Sequence, residues 1–215
     1  MVKIFANRRQ AGLKLAQTLS DFARCPDCVV LAIPRGGVVV AAEIARQLKL
    51  PLDLVITKKI GAPFNPELAI GSVDSNGKIS LDETLIARLN IPSAYIHRAA
   101  KQVLAQIKNQ LAKYRARIDY PDLTQKTVIL VDDGIATGQT VIAAIGFLKS
   151  LPVRRLVIAT PVIAPATLAN LKQSADEIRY VRCEHRFLAV GQFYQDFSPV
   201  SDDEVITIMN SFITN

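Results

Sequence analysis

The fold of this chain is decided by one stretch, Val128-Ile129-Leu130-Val131-Asp132-Asp133-Gly134-Ile135-Ala136-Thr137-Gly138-Gln139-Thr140. Its first four residues are apolar and rich in β-branched types, the pattern of a parallel strand buried on both faces. Two carboxylates stand where such a strand ends. A loop of small residues follows, and then an apolar run with helical spacing. The stretch therefore predicts a strand, a loop and a helix in that order.

The predicted loop has the chemistry of an anion site. Free backbone N–H groups and the positive end of the helix dipole point toward it. Gly138 lets the backbone approach an anion, and the hydroxyls of Thr137 and Thr140 can donate further hydrogen bonds. Asp132 and Asp133 would repel a phosphate but suit the hydroxyls of a sugar that carries one. The alternative is a solvated turn with Thr as a helix cap, which accounts for Asp-Asp-Gly alone but fits the whole stretch poorly.

A second unit of strand, loop and helix comes earlier in the chain. The buried strand at residues 29–33 runs into Pro34-Arg35-Gly36-Gly37 and then into an apolar helix. Because parallel strands end at the same edge of a sheet, this loop is a second candidate anion site beside the first. A tight turn with a solvated Arg35 is the alternative.

Lys58 and Lys59 follow the next predicted strand, residues 52–57. Two lysines at this edge would neutralise negative charge on a departing anion, and we expect such a role for one of them. The alternative is that both simply solvate a strand end. Gly and Pro predict a loop at residues 61–67, and residues 70–81 predict a hairpin that turns at Asn-Gly.

The remaining elements alternate along the chain and define the fold class. A helix is expected at residues 7–22 with Asn7 as its cap. Arg8 and Arg9 either reach the site or, as is commoner for charges in a first turn, are solvated or pair locally. After the central stretch come strands at 155–160 and 177–183 with a helix between them. This alternation predicts an α/β, Rossmann-like, mostly parallel sheet flanked by helices.

A long amphipathic helix is predicted at residues 94–118. Its apolar stripe is formed by Ile96, Ala100, Val103, Ile107, Leu111, Tyr114 and Ile118. The other faces carry six Lys and Arg residues and no acid between Arg98 and Arg117. Such a face either binds nucleic acid or is solvated on a packed helix, and the second is the commoner case.

The size and composition of the chain limit the partners and the cellular location that can be expected. The chain has 215 residues, and its formal charge of +7 fits nucleic acid, an acidic membrane or a polyanionic small substrate. The charge is not concentrated in a tail, which favours the small substrate. No apolar run reaches the length of a signal or membrane span, so no membrane partner and a reducing cytoplasm are expected. Cys25 and Cys28 are expected to be free thiols in a surface turn rather than zinc ligands.

The central stretch closely resembles the signature of type I phosphoribosyltransferases, which binds the ribose 5-phosphate of phosphoribosyl pyrophosphate (PRPP). The resemblance implies that Asp132 and Asp133 hold the ribose 2- and 3-hydroxyls. It assigns the 5-phosphate to Ala136, Thr137, Gly138, Gln139 and Thr140. It assigns pyrophosphate to Arg35, Gly36 and Gly37, in a loop that often contains a cis peptide in this family.

This resemblance extends over essentially the whole chain and points to the bacterial phosphoribosyltransferases whose acceptor is unassigned. It implies a single domain, 1–215, with a flap and a helical insertion at about 61–120 and a C-terminal hood at about 184–215. The implied reaction is attack by a nitrogen acceptor on C1 of Mg-bound PRPP, with release of pyrophosphate. Catalytic roles are implied for Asp132, Asp133, Arg35, Lys58 and Lys59, and Mg²⁺ would be held through PRPP and by the two aspartates.

The acceptor, the role of the C-terminal aromatic residues and the oligomeric state each have more than one interpretation. Hypoxanthine-guanine enzymes carry an acidic residue where this chain has Ala136, which disfavours a 6-oxopurine acceptor. The hood aromatics, Phe187, Phe193, Tyr194 and Phe197, either pack against the sheet or contact a base. Homo-oligomers are compatible with the family. The rival function is a regulator that keeps the fold without catalysis and binds nucleic acid through the basic helix, with a steep salt dependence.

Overall fold

The computed structural model describes residues 3–74, 77–115 and 122–212. In chain order, its helices and strands are α1 (Arg8–Gln17), β1 (Cys28–Ala32), α2 (Gly36–Leu48), β2 (Leu52–Leu54), β3 (Lys58–Ala62), β4 (Asn65–Val73), β5 (Ile79–Leu81), α3 (Glu83–Arg88), α4 (Ser93–Tyr114), β6 (Thr127–Val131), α5 (Gln139–Leu148), β7 (Arg155–Ile163), α6 (Pro165–Leu171), β8 (Glu177–Cys183) and α7 (Asp202–Asn210).

The main sheet has five parallel strands in the order β2-β1-β6-β7-β8. The predicted α/β fold with a mostly parallel sheet is therefore confirmed. Strands β1 and β6 are neighbours, and Ala32 lies opposite Val131 at their carboxyl ends. The loop after β1 and the loop after β6 consequently begin side by side.

Burial on both faces explains the unbroken apolar runs of β1 and β6. Val30 and Ile129 face the core layer that includes α1, α2, α4 and α7. Leu31 and Leu130 face the opposite layer, which includes α5 and α6. All ten residues of the two strands are buried.

The first helix is shorter than predicted. Asn7 caps α1 as expected, because its side-chain oxygen accepts the backbone N–H of Gln10 at 3.0 Å. The helix ends at Gln17, and residues 20–22 form a separate 3-10 turn. The later helix α4 ends at Tyr114, earlier than predicted, because the backbone of Arg115 is already extended. Its predicted stripe is buried apart from the half-buried Val103, and Arg117 and Ile118 lie outside the described residues.

The segment after β2 differs from prediction. The predicted loop at residues 61–67 is confined to a turn at 63–64, because β3 and β4 pair as an antiparallel hairpin that β5 extends into a separate sheet. Gly61 lies where the ladder shifts register, and a side chain there would reach within 2.5 Å of the Pro66 carbonyl oxygen. Gly61 thus marks an irregular position in a strand pair rather than a loop. The β4–β5 hairpin is confirmed, with Ser75 and Asn76 of its turn outside the described residues.

The expectation of free thiols at Cys25 and Cys28 is wrong. The two residues form a disulfide, because the turn between them brings their Cα atoms to 5.3 Å. The Cys28 N–H also donates to the Cys25 carbonyl at 3.2 Å, which closes the turn. Within the described parts of the chain, no helix has the length and apolar character needed to cross a membrane.

The C-terminal segment returns to the beginning of the chain. Tyr194 forms a parallel bridge with Phe5, and the N–H of Phe5 donates to the Phe193 carbonyl at 3.0 Å. Helix α7, which sequence patterns did not predict, then packs on α2 and α4. The two ends of the described chain therefore lie against the main sheet and its helices.

Candidate functional site

The two predicted anion loops meet at the carboxyl edge of the main sheet. Gly36 begins α2, and a Cβ at that position would lie 1.9 Å from Oδ2 of Asp133. A Cβ at Gly37 would lie 2.9 Å from the Val131 carbonyl oxygen. Only glycines allow the first loop to approach the acidic pair this closely, and the sequence prediction that the loops are neighbours is confirmed.

The loop after β6 is held by the neighbouring strand and helix. The Ile135 N–H donates to the Val162 carbonyl at 2.9 Å, and the Thr167 hydroxyl of α6 donates to the Ala136 carbonyl. Gly138 precedes α5 with a left-handed φ of 75°, which glycine adopts at little cost. Gln139 and Thr140 are the first residues of α5 and Thr137 lies just before it, where backbone N–H groups lack helical partners. This geometry suits an anion.

Asp132 and Asp133 differ in their surroundings. Burial, and next the charge of Asp133, raise the pKa of Asp132 well above its ordinary value. One oxygen of Asp132 accepts the backbone N–H of Asp133 at 2.8 Å. Burial also raises the pKa of Asp133, while its ion pair with Arg8 opposes that effect. The arrangement holds two carboxylates side by side, with one of them paired.

Arg8 belongs to the site, contrary to the expectation that it is solvated or pairs locally. Its Nε lies 2.7 Å from Oδ2 of Asp133, and the two side chains are only 11% and 14% exposed. Its guanidinium also covers the ring of Phe197 at 3.7 Å and donates to the Ser198 carbonyl at 2.8 Å. Arg9, by contrast, is exposed. The acidic pair is thus supported by residues from both ends of the chain.

The loop after β1 presents Arg35 outward. A cis peptide bond joins Pro34 to Arg35, as the family resemblance implied. The Arg35 side chain is about half exposed, and its Nη1 lies 3.4 Å from Oδ1 of Asp202 in α7. Arg35 is therefore held at the surface of the site by an acid that sequence analysis did not single out.

Lys58 and Lys59 do not end a parallel strand, because β2 stops at Leu54 and both lysines begin β3. Both lysines nevertheless lie near the carboxyl edge of the main sheet, where the sequence placed them. Both line a cavity of about 620 Å³ between the β3–β4 hairpin and the start of α5, together with Gln139 and Thr140. Lys59 also donates to the Glu67 carboxylate at 2.7 Å. The cavity thus joins the second sheet to the loop after β6.

The aromatic residues of the C-terminal segment mostly pack among themselves. Phe193 and Tyr194 are buried, and Tyr194 stacks between Phe5 and Phe197 with ring centroids at 5.3 and 5.0 Å. The Tyr194 hydroxyl donates to the Asp133 carbonyl at 2.6 Å. Phe187 contacts Phe193 edge-on. Tyr194 therefore supports the backbone of the acidic pair, a link that no local sequence signal indicated.

The fold and the site together define an α/β protein with a parallel five-stranded sheet and two glycine-containing loops that meet at its carboxyl edge. A family model for the phosphoribosyl transferase domain matches residues 6–197. The chain therefore belongs to the phosphoribosyl transferase domain family.

Similar proteins agree with this assignment. Two Mycobacterium tuberculosis proteins, from strains CDC 1551 and H37Rv and each named "Putative phosphoribosyl transferase", are 34% identical over 209 residues, covering 97% of this chain and 47% of theirs. The chain thus spans about half the length of these relatives. The crystal structure of TT1426 from Thermus thermophilus is 37% identical, with a TM-score of 0.82 over 97% of this chain and 98% of that one.

Proposed function

We propose that this protein is a phosphoribosyltransferase, which binds Mg-PRPP and transfers its phosphoribosyl group to a nitrogen acceptor with release of pyrophosphate. The observation that carries the proposal is the meeting of the two loops, where Gly36 packs against Asp133. A ligand with a phosphate at each end of a ribose fits one loop per phosphate, with the aspartates between them.

The ribose and the 5-phosphate are assigned to the loop after β6. Asp132 and Asp133 would accept hydrogen bonds from the two ribose hydroxyls, since carboxylates are strong acceptors. The backbone from Ala136 to Gly138 and the side chains of Thr137 and Thr140 would hold the 5-phosphate at the start of α5. The left-handed φ of Gly138 shapes this turn.

The pyrophosphate is assigned to the loop after β1. Gly36 and Gly37 are the first residues of α2, whose backbone N–H groups have no acceptor within the helix, and Arg35 adds a guanidinium donor. Lys58 lines a cavity together with Arg35, and both Lys58 and Lys59 line the larger cavity at the start of α5. Positive charge at this place stabilises the negative charge that grows on pyrophosphate as its bond to C1 breaks.

The residues also fit the metal that the family implies. Mg²⁺ is usually held by substrate phosphates and one or two carboxylates rather than by a protein cage. Asp132 and Asp133 supply such carboxylates, and the described residues contain no cluster of three or more metal-binding side chains. When bound with PRPP, the ion would neutralise charge on the leaving pyrophosphate.

Two binding measurements test the assignment. Calorimetry with Mg-PRPP should detect binding to the parent protein and none to the double variant Asp132→Asn with Asp133→Asn, provided that its circular dichroism spectrum is unchanged. The control Glu83→Gln removes a charge from the exposed start of α3 and should bind PRPP normally. Unchanged PRPP affinity in the double variant would refute the ribose assignment.

A screen for catalysis identifies the acceptor. Nucleobases and amines are offered one at a time with Mg-PRPP, and pyrophosphate release is followed. Release that depends on one acceptor and disappears in the double aspartate variant supports the proposal. If PRPP binds but no acceptor promotes release, while nucleic acid binds with a steep salt dependence, the regulator is the better account.

A further inference from the structure

A second cavity lies beside the loop of Arg35, between α4 and α7. We call this cavity of about 410 Å³ the α4–α7 cleft. The charged residues that line it are Arg35, Lys58, Lys113 and Asp202. Arg35 belongs to the loop where pyrophosphate is proposed to bind, so the cleft adjoins that side of the site. Lys58 also lines the larger cavity described above and connects the two cavities.

The cleft is positively charged. Among the described residues of its lining, three carry a positive charge and Asp202 is the one acid. Oδ2 of Asp202 lies 2.6 Å from Lys113 Nζ, and its Oδ1 accepts the Tyr114 hydroxyl at 2.5 Å. These hydrogen bonds, that of Lys113 first, lower the pKa of Asp202 to about 2. The acid is ionised at neutral pH and offsets one of the three positive charges.

The cleft is also large and open enough for a ligand. The side chains of Arg35 and Lys113 are 49% and 50% exposed, so both remain within reach of an anion. Gln106 and Asn109 add amides that donate and accept, and they lie one helical turn apart on α4. A volume of this size is typical of small-molecule sites and exceeds the needs of a single phosphate.

We propose that the α4–α7 cleft binds a tripolyphosphate chain, either free or as part of a nucleoside triphosphate. The three cations belong to three different elements, the start of α2, the start of β3 and the end of α4, so they suit an extended anion better than a compact one. Because Arg35 and Lys58 are shared, such a ligand would compete with PRPP. The competition rests on the proposed function, whereas the anion site rests on the cleft alone.

Lys113 and Lys108 provide a matched pair for the test. Both are exposed lysines on α4, but only Lys113 lines the cleft. Calorimetry with tripolyphosphate at fixed ionic strength should show about tenfold weaker binding for Lys113→Gln, the effect of losing one charge-assisted hydrogen bond. Lys108→Gln should match the parent protein. Asp202→Asn should bind tripolyphosphate several-fold more tightly, because it removes the carboxylate that competes for Arg35 and Lys113.

A second titration, with adenosine triphosphate, shows whether the cleft recognises tripolyphosphate alone or a whole nucleoside triphosphate. Equal affinity for both ligands means that the phosphates alone are recognised. Tighter binding of the nucleotide, reduced by Gln106→Ala, means that the amides contact the nucleoside, and either result supports the site. If Lys113→Gln and Lys108→Gln weaken binding equally, or neither does, the proposal is overturned.

One further comparison separates this inference from the proposed function. If PRPP fails to bind the parent protein while tripolyphosphate binding depends on Lys113, the proposed function fails and the cleft stands. If PRPP binds and depends on Asp132 and Asp133, but tripolyphosphate does not distinguish Lys113→Gln from Lys108→Gln, the cleft fails and the function stands.

Discussion

Asp132 is proposed to bind the ribose, and its buried charge destabilises the fold at neutral pH. Its raised pKa means that the folded protein holds a proton there more tightly than the unfolded chain does. The stabilising contribution of that proton is present below the unfolded pKa and is lost as the pH rises through the folded pKa. Asp132→Asn should therefore raise the melting temperature at neutral pH by about 2–4 °C, for a gain of about 1 kcal/mol.

A thermal scan at neutral and mildly acidic pH tests this prediction. The difference between variant and parent should shrink as the pH falls and Asp132 becomes protonated. Asp122→Asn is the control, because hydrogen bonds from Thr124 lower the pKa of that exposed acid. Its substitution should bring no gain. A melting temperature that falls in Asp132→Asn would show that the carboxylate stabilises the fold.

Arg8 is expected to stabilise both the fold and the site. Arg8→Gln removes a charged hydrogen bond to Asp133 and leaves that largely buried carboxylate without its partner. A loss of about 1.5–3 kcal/mol in the free energy of unfolding is expected from urea titrations. Arg9→Gln removes the same charge from an exposed neighbour and should change stability by less than about 0.5 kcal/mol. Equal effects of the two variants would refute a specific pair.

At the scale of elements, α5 offers two glycines with opposite environments. Gly138 has a φ of 75°, and a Cβ there would lie 2.7 Å from Cγ2 of Thr167. Gly146 has open space around its Cα. Gly138→Ala should destabilise the protein and weaken the binding of PRPP and of ribose 5-phosphate. Gly146→Ala should stabilise it by about 0.5–1 kcal/mol. Thermal melts and calorimetry check both, and normal ligand binding in Gly138→Ala would argue against a phosphate turn.

Substitutions in the two loops should also weaken the binding of different ligands. Arg35→Ala removes a charge-assisted donor to pyrophosphate, a change of about 1.5–3 kcal/mol that weakens PRPP binding roughly ten- to a hundredfold. Ribose 5-phosphate lacks pyrophosphate, so its affinity should hardly change. The assay compares both ligands at fixed Mg²⁺ and ionic strength. Equal weakening of both would place Arg35 at the sugar-phosphate end or in the structure instead.

The elements that sequence patterns predicted best are those buried on both faces. The strands β1 and β6 were located to within a residue because apolar runs of that kind have few other uses. The β3–β4 hairpin was missed because its Gly61 and Pro66 usually mark loops. Here tertiary pairing overrides the local signal.

At the scale of the whole molecule, some residues of the candidate site could be predicted from local sequence patterns and others depend on tertiary contacts. Asp132, Gly138 and Arg35 could be recognised because each follows a predictable strand. Arg8 and Asp202 could not, because their partners lie 125 and 167 positions away in sequence. Such contacts depend on how the terminal segments pack against the sheet, and no local pattern records that packing.

The end of α4 is joined to the main sheet by a buried ion pair. Arg115, directly after α4, is 3% exposed, and its Nε lies 2.6 Å from Oδ1 of Asp53 in β2. It also donates to the Leu54 carbonyl at 2.7 Å. Asp53 in turn accepts the Leu54 N–H at 2.7 Å. Loss of either partner therefore disturbs the contact between the end of α4 and β2.

Arg115→Met should lower the free energy of unfolding by about 3–5 kcal/mol, because it leaves the Asp53 carboxylate in a poorly solvated place without its cation. In urea titrations, the double variant Arg115→Met with Asp53→Asn should lose less than the two single variants added together, because each single variant leaves one charge unpaired. Arg98→Met, at an exposed position of α4, should stay within about 0.5 kcal/mol of the parent. Strictly additive effects would mean that the pair does not couple α4 to the sheet.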